Sequence, residues 1–200
     1  MSNTEPTVLR QDEGAETVLT VSNPKRRNAF SPEVRAALVG HMNDIATDAR
    51  IRSIVITGAN NTFSAGGDLS TMQDMTAFEG RERIRAGRAM VESLWRSEKP
   101  IVAAVEGFAF GAGLSLALLA DWIVAAEDAS FCASFGKVGL MGDMGLFWTL
   151  PQRVSVGKAR RILMLAEIVS ANEALKIGLV EETSQKGKAL ERAMLKAKTM

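Results

Sequence analysis

The 200-residue chain contains a single cysteine and a single histidine. Cys132 has no second cysteine with which to form an intrachain disulfide, which is typical of a reducing compartment, and we expect a cytoplasmic protein. One cysteine together with His41 cannot build the Cys/His cluster of a structural metal site. We therefore expect no metal ligands and no metal or redox cofactor.

The chain also lacks a charge excess and a long apolar run. Its formal net charge is +1, so no strong field favours nucleic acid or an anionic membrane. The longest uncharged run, Gly107–Ala120, is too short to span a bilayer. The first ten residues lack the apolar centre of a signal peptide. Nucleic acid and membrane are therefore not expected as partners.

What the chain does contain is enough apolar sequence for a folded core. Hydrophobic residues make up 46% and charged residues 24%, and the length fits one domain over residues 1–200. Apolar runs typical of strands alternate with helical patterns. The predicted strands are Thr17–Ser22, Ser53–Thr57, Ile101–Gly107 and Trp122–Glu127. The predicted helices are Ser31–Arg50, Thr71–Glu98, Gly111–Ala120 and, at the end of the sequence, Lys186–Met200. This alternation predicts an α/β fold with a mostly parallel sheet.

Two glycine-rich turns follow predicted strands. Ala65-Gly66-Gly67 comes after Ser53–Thr57, and Gly111-Ala112-Gly113 comes after Ile101–Gly107 and opens a helix. Ligands of α/β proteins bind where strands end. Turns without bulky side chains let a ligand oxygen approach free backbone N–H groups, so two such turns could form an oxyanion hole. The alternative is that these glycines only permit close helix–strand packing.

Longer segments around these turns resemble one family. "TFSAGGDL" and "KPIVAAVEGFAFGAGLSLALLADWIVAAEDASF", continued by "GLMGDMGLFWTLPQRVSVGKARRILM" and "ANEALKIGLVEE", resemble the enoyl-CoA hydratase/isomerase (crotonase) family. The resemblance extends over nearly the whole chain. It implies a spiral of ββα units with mostly parallel sheets, and a helical C-terminal part from about residue 150 that we expect to be truncated. It also implies a homo-oligomer, a trimer or hexamer, of the full-length form.

The resemblance also implies a substrate and its binding residues. Family members act on acyl-coenzyme A thioesters, with coenzyme A as part of the substrate. The amides of Gly67 and Ala112 would bind the thioester oxygen and stabilise an enolate. Coenzyme A would be contacted by residues of the basic loop and the first turn: Lys25, Arg26, Ala29, Ala65, Gly66, Asp68 and Leu69. Two alternatives remain open, namely that Asp68 only fixes its turn and that the basic loop is merely solvated.

The type of reaction depends on a few acidic positions. The two glutamates of the family's hydratases fall on Ser115 and Phe135, and neither can act as a base. Asp143 falls where several isomerases carry an acidic residue, among apolar neighbours that favour its neutral form. The sequence therefore favours an enoyl-CoA isomerase with Asp143 as the proton shuttle. The alternatives are a hydratase, a hydrolase or dehalogenase of the same family, a non-catalytic acyl-CoA-binding protein, and an Asp143 that merely caps a helix beginning near Met144.

Two weaker motif matches overlap the second turn. "GAGLSLA" resembles a dinucleotide-binding loop, but Leu116 replaces its third glycine. It also resembles a nucleophile elbow at Ser115, with Ala117 in place of the second glycine. The elbow enzymes place their histidine after the serine, whereas His41 precedes it. Neither match predicts the function.

Overall fold

A computed structural model describes residues 5–72 and 74–200 of the chain. The strands in these residues are β1 Thr7–Glu13, β2 Glu16–Ser22, β3 Ser53–Gly58, β4 Ile101–Val105, β5 Phe108–Phe110, β6 Trp122–Ala126, β7 Ser130–Cys132, β8 Val169–Ser170 and β9 Glu182–Ser184. The helices are α1 Pro32–Thr47, α2 Ala77–Trp95, α3 Ala112–Ala117, α4 Leu146–Arg153, α5 Val156–Leu165, α6 Ala171–Lys176 and α7 Ala189–Ala197. Short 3₁₀ turns lie at Pro24–Arg26, Leu69–Met72 and Ser134–Val138.

The larger sheet has the strand order β1-β2-β3-β4-β6-β9. Only the β1–β2 pair is antiparallel, and the other pairs are parallel. The predicted mostly parallel α/β sheet is therefore confirmed. β1 was not predicted, because Val8 is its only buried residue and its remaining side chains are largely polar or charged. Full-length pairing with β2 holds it at the sheet edge.

The smaller sheet has the order β5-β7-β8. The strand predicted over Ile101–Gly107 ends earlier, because β4 stops at Val105 and the chain turns at Gly107 into β5. Gly107 has φ +62°, and a Cβ there would lie 2.8 Å from the Asn61 carbonyl oxygen, so the turn requires glycine. The succession β4, β5, α3 is one of the predicted ββα units.

Helices α1 and α2 pack together beside the larger sheet. In α1 an apolar stripe of Val34, Leu38, Met42 and Ile45 is buried. Thr76 and Glu79 form a capping box at the start of α2. This cap and the turn before it make the helix shorter than the predicted range 71–98. Among its apolar residues, Met90 and Leu94 are buried, whereas Ile84 is 74% exposed.

Helix α7 packs against strands β3, β4 and β6. Its buried side consists of Ala189, Ala193, Met194 and Ala197, whereas Leu190 is 38% exposed. The predicted helix over Gly111–Ala120 is also shorter, since α3 ends at Ala117. No helix in the described part of the chain is long and apolar enough to cross a membrane.

Candidate active site

The first glycine turn requires glycine at one position for a steric reason. Gly66 has φ +103°, and a Cβ there would lie 2.6 Å from the Phe110 carbonyl oxygen and 3.1 Å from the Ala112 nitrogen. No side chain fits at that separation without movement of the backbone. The absence of a side chain at Gly66 therefore lets this turn approach the second turn closely.

The second turn is held in place by backbone contacts with Cys132 and with Ser64, which precedes the first turn. Gly111 has φ +51°, and its N–H donates to the Cys132 carbonyl at 2.8 Å. A Cβ at Gly113 would lie 2.6 Å from the Ser64 carbonyl oxygen. That same oxygen accepts a hydrogen bond from the Phe110 amide at 3.0 Å. Close packing thus explains Gly66 and Gly113, which leaves Gly67 and Ala112 to be explained.

The amides of Gly67 and Ala112 are the two predicted donors. Neither N–H donates a hydrogen bond to another residue of the described ranges. Both residues line the same cavity, whose volume is about 530 Å³. The Ala112 amide is also the first of helix α3, where the first turn of N–H groups lacks intrahelical acceptors. Two unpaired donors on facing turns match the arrangement expected of an oxyanion hole.

Asp143 lines that cavity too, in the loop before α4. Asp143 is an exposed residue at the edge of the cavity, yet desolvation by the surrounding protein raises the pKa of its carboxyl, and the positive charges of Arg35 and Arg83 oppose the rise. The next residue, Met144, has φ +52°, a conformation that is uncommon for residues other than glycine. The Asp143 carboxylate does not cap α4, whose N-cap is Gly145. The helix-cap alternative is therefore not what the structure shows.

The two positions of the hydratase glutamates have different surroundings. Phe135 is buried and lines the cavity, where it offers no base. Ser115 is fully buried, and its hydroxyl donates to the Asp143 carbonyl at 3.1 Å and lies 3.5 Å from the Gly111 carbonyl. The shorter contact ties α3 to the loop that carries Asp143.

Two arginines in the cavity wall were missed by the sequence analysis. Arg35 projects from α1 and is 8% exposed. Arg83 projects from α2, and its Nη1 donates to Thr71 Oγ1 at 2.9 Å. Burial is the main reason why the pKa of each guanidinium is lowered. Arg35 directly follows the stripe residue Val34, and Arg83 lies in a helix with several arginines, so no sequence signal singled either out.

The residues predicted to contact coenzyme A are only partly brought together. Ala65 and Leu69 line the cavity, whereas Lys25 and Arg26 are exposed and lie outside its wall. Ala29 is buried, and so is Gly66 within the first turn itself. The basic loop still contacts this turn, because the Ala65 amide donates to the Arg27 carbonyl at 3.0 Å.

Asp68 has a local role in the first turn. Its carboxylate accepts hydrogen bonds from the Ser70 amide at 3.0 Å and the Ser70 hydroxyl at 2.7 Å. This is the turn-fixing interaction that the sequence analysis gave as an alternative. Asp121 acts similarly elsewhere, accepting from the Ile101 amide at 2.8 Å at the start of β4.

Comparison with known proteins places the chain in a family. The profile described as enoyl-CoA hydratase/isomerase matches residues 12–200. A crotonyl-CoA hydratase of Syntrophomonas wolfei is 32% identical over 179 residues, which cover 89% of this chain and 69% of the relative. A 1,2-epoxyphenylacetyl-CoA isomerase of Escherichia coli is 34% identical over 177 residues, covering 86% of this chain and 68% of the relative. The chain belongs to the enoyl-CoA hydratase/isomerase family.

Solved structures agree with this assignment. The crystal structure of an enoyl-CoA hydratase from Polaromonas sp. JS666 superposes with a TM-score of 0.92 at 38% identity. The match covers 96% of this chain and 76% of that one. The crotonase-type α/β fold predicted from the sequence is confirmed, and the chain spans about three quarters of the length of this solved relative.

Proposed function

We propose that the chain is an isomerase of enoyl-coenzyme A thioesters, which moves a double bond by way of an enolate. The observation that carries the proposal is the composition of one cavity wall. It combines two unpaired backbone amides, at Gly67 and Ala112, with one carboxylate, Asp143. No second carboxylate lines this cavity among the described residues. One proton-transferring group and an enolate site are sufficient for a double-bond shift.

The two amides compensate for the weak acidity of the substrate's α-proton. When a proton leaves the α-carbon of a 3-enoyl thioester, negative charge develops on the thioester oxygen. Two fixed N–H groups stabilise that oxygen without reorganising, and loss of one such donor costs about 2.7–4 kcal/mol of transition-state stabilisation. The α3 helix, with Ala112 at its start, adds positive potential at the same point.

Asp143 then moves the proton. In its ionised form the carboxylate takes the α-proton, and the electron pair of that C–H bond delocalises into the dienolate. The protonated acid returns a proton to the γ-carbon, which leaves the double bond between the α- and β-carbons. Burial raises the pKa of Asp143, which suits a group that must both accept and release a proton. Its accessibility from the cavity supports contact with the acyl chain.

Hydration is the main competing reaction, since several relatives are named as hydratases. Adding water requires a positioned base for the water, and the positions of both family glutamates are held here by Ser115 and Phe135. Ser115 is fully buried and its hydroxyl is engaged by backbone carbonyls. This favours isomerisation over hydration.

A spectrophotometric assay separates the two reactions. With a 3-enoyl-CoA, isomerisation produces a conjugated 2-enoyl thioester, so the ultraviolet absorbance of that thioester rises. With a 2-enoyl-CoA supplied alone, hydration removes the same absorbance. We expect a rise in the first experiment and no comparable loss in the second. Loss of absorbance from 2-enoyl-CoA without any isomerisation would identify a hydratase, and no change with either substrate would support a non-catalytic acyl-CoA-binding protein.

A further inference from the structure

Arg35 is a buried cation without a direct partner. It is 8% exposed, and its guanidinium forms no hydrogen bond or ion pair with any residue in the described ranges. Arginine stays protonated in proteins, so this charge cannot be relieved by deprotonation. Burying an unpaired charge is unfavourable unless something compensates it. Because Arg35 lines the same cavity as Gly67 and Asp143, the compensating group can come from a ligand.

Arg83 brings a second guanidinium to the same region. Its Nη2 lies 3.4 Å from the position that a Cβ on Gly67 would occupy. Its Nη1 is bound to Thr71, and no carboxylate of the described chain pairs with it. Arg83 lies close enough to Arg35 for its positive charge to lower the pKa of the Arg35 guanidinium. Two like charges are thus held together beside the predicted oxyanion hole.

The acidic groups nearby are already engaged or are too far away to pair. Asp143 acts on both arginines through its charge but forms no ion pair with either. Asp68 also acts on both arginines through its charge, but its carboxylate is bound to Ser70 and forms no ion pair with either. On the far side of the two arginines, Glu79 caps α2 and Glu82 pairs with Arg85. The cavity wall therefore has more positive than negative charge.

We propose that Arg35 and Arg83 together bind a carboxylate carried by the acyl group, so that the substrate class is a short-chain acyl-CoA with an acidic acyl portion. The inference rests on the proposed binding of acyl-CoA in this cavity. Two guanidinium groups can bind a carboxylate through charge-assisted, bidentate hydrogen bonds. Because Arg83 lies against Gly67, the carboxylate would lie a short distance from the thioester carbonyl, which favours a short acyl chain.

The test compares two saturated ligands that cannot undergo a double-bond shift. Pentanedioyl-CoA and pentanoyl-CoA have the same carbon skeleton, and only the first ends in a carboxylate. Calorimetry should give a dissociation constant for pentanedioyl-CoA roughly 10- to 100-fold lower than for pentanoyl-CoA, as expected for a hydrogen-bonded charge. Free coenzyme A is the third ligand, because its phosphates are the other possible source of an anion.

Variants connect the preference to the two arginines. Arg35→Met and Arg83→Met keep much of the side-chain length and remove the charge, so each should bring the two dissociation constants to within a fewfold of each other. Affinity for pentanoyl-CoA and free coenzyme A should stay unchanged. Arg81→Met makes the same change on the exposed side of α2 and should retain the full preference. Arg83 is only half-buried, so its variant remains informative if Arg35→Met fails to fold.

Several results would overturn the inference. Equal affinity of the wild type for the two thioesters would remove the acidic-acyl preference while leaving the isomerase proposal intact. Equal weakening of all three ligands by Arg83→Met would assign the arginines to the coenzyme A phosphates. An unchanged preference with lower turnover of a neutral 3-enoyl-CoA would instead make Arg83 a stabiliser of the enolate. Failure of every thioester to bind would reject both this inference and the acyl-CoA cavity itself.

Discussion

Gly66→Ala is the substitution that tests the two-turn architecture most severely. The added methyl carbon would lie 2.6 Å from the Phe110 carbonyl oxygen and 3.1 Å from the Ala112 nitrogen. Both are backbone atoms, so neither can rotate away as a side chain would. The turn must therefore shift, and the Ala112 amide must shift with it.

The expected magnitude has a stability part and a catalytic part. Holding alanine at φ +103° costs about 1–3 kcal/mol, and the overpacked methyl adds about 1–3 kcal/mol. A domain of ordinary stability, about 5–15 kcal/mol, should remain mostly folded at low temperature. Displacing one oxyanion donor should lower kcat by about 10²–10³-fold.

Two further glycines provide matched controls. Gly80→Ala, in α2, meets nothing within 4 Å and should stabilise the helix by about 0.5–1 kcal/mol. Gly67→Ala has no positive φ, and its methyl would meet only the Arg83 Nη2 at 3.4 Å, the end of a flexible side chain. It should keep the fold and its backbone donor, and it should lose less turnover than Gly66→Ala.

Denaturant unfolding and turnover of a 3-enoyl-CoA would be measured on all three variants at the same temperature. We expect kcat to decrease in the order Gly80→Ala, Gly67→Ala, Gly66→Ala. A folded Gly66→Ala variant with wild-type kcat would refute the claim that the Ala112 amide must be positioned by this turn.

Three other predictions concern charge, ligand binding and assembly. The positive charge of Arg35 lowers the pKa of Asp143. Arg35→Met should therefore raise that pKa and shift the acid limb of the kcat/KM profile to higher pH. An acid limb at unchanged pH would contradict the role of Asp143 as the base. Free coenzyme A should bind and raise the melting temperature, adding about 2.7 kcal/mol of stability at 100 times Kd, and calorimetry without binding at millimolar ligand would reject it. A homo-oligomer built as a closed ring is expected, with exposed Phe147 and Trp148 as candidate contacts, and light scattering that finds only the 21.5 kDa monomer would exclude it.

The parts of the site that the sequence predicted are those governed by backbone conformation. Glycine at positions 66, 111 and 113 was informative because an added Cβ at 66 or 113 would meet a backbone carbonyl, and because 66 and 111 have positive φ. The strands β3, β4 and β6 were found because burial on both faces produces continuous apolar runs.

The parts that the sequence missed depend on three-dimensional neighbours. Arg35 follows an apolar stripe residue on α1 and Arg83 lies among other arginines on α2, and only the packing of the two helices shows that both face one cavity. The bond from Ser115 to the Asp143 carbonyl spans 28 positions of the sequence, and no local pattern indicates it. The strand β1 has few apolar residues and is held by pairing with β2.

The most direct test of the proposed mechanism is deuterium exchange by an Asp143→Asn variant. Asparagine has nearly the same shape but cannot accept the proton, and Asp44→Asn, exposed on α1, is the matched control. The proton shuttle predicts that Asp143→Asn keeps its fold and coenzyme A affinity but loses turnover on the order of 10²–10⁴-fold. Incorporation of solvent deuterium at the γ-carbon, followed by NMR, should fall with it, whereas Asp44→Asn should match the wild type. Unchanged exchange and turnover in a folded Asp143→Asn variant would contradict the assignment of Asp143 as the base.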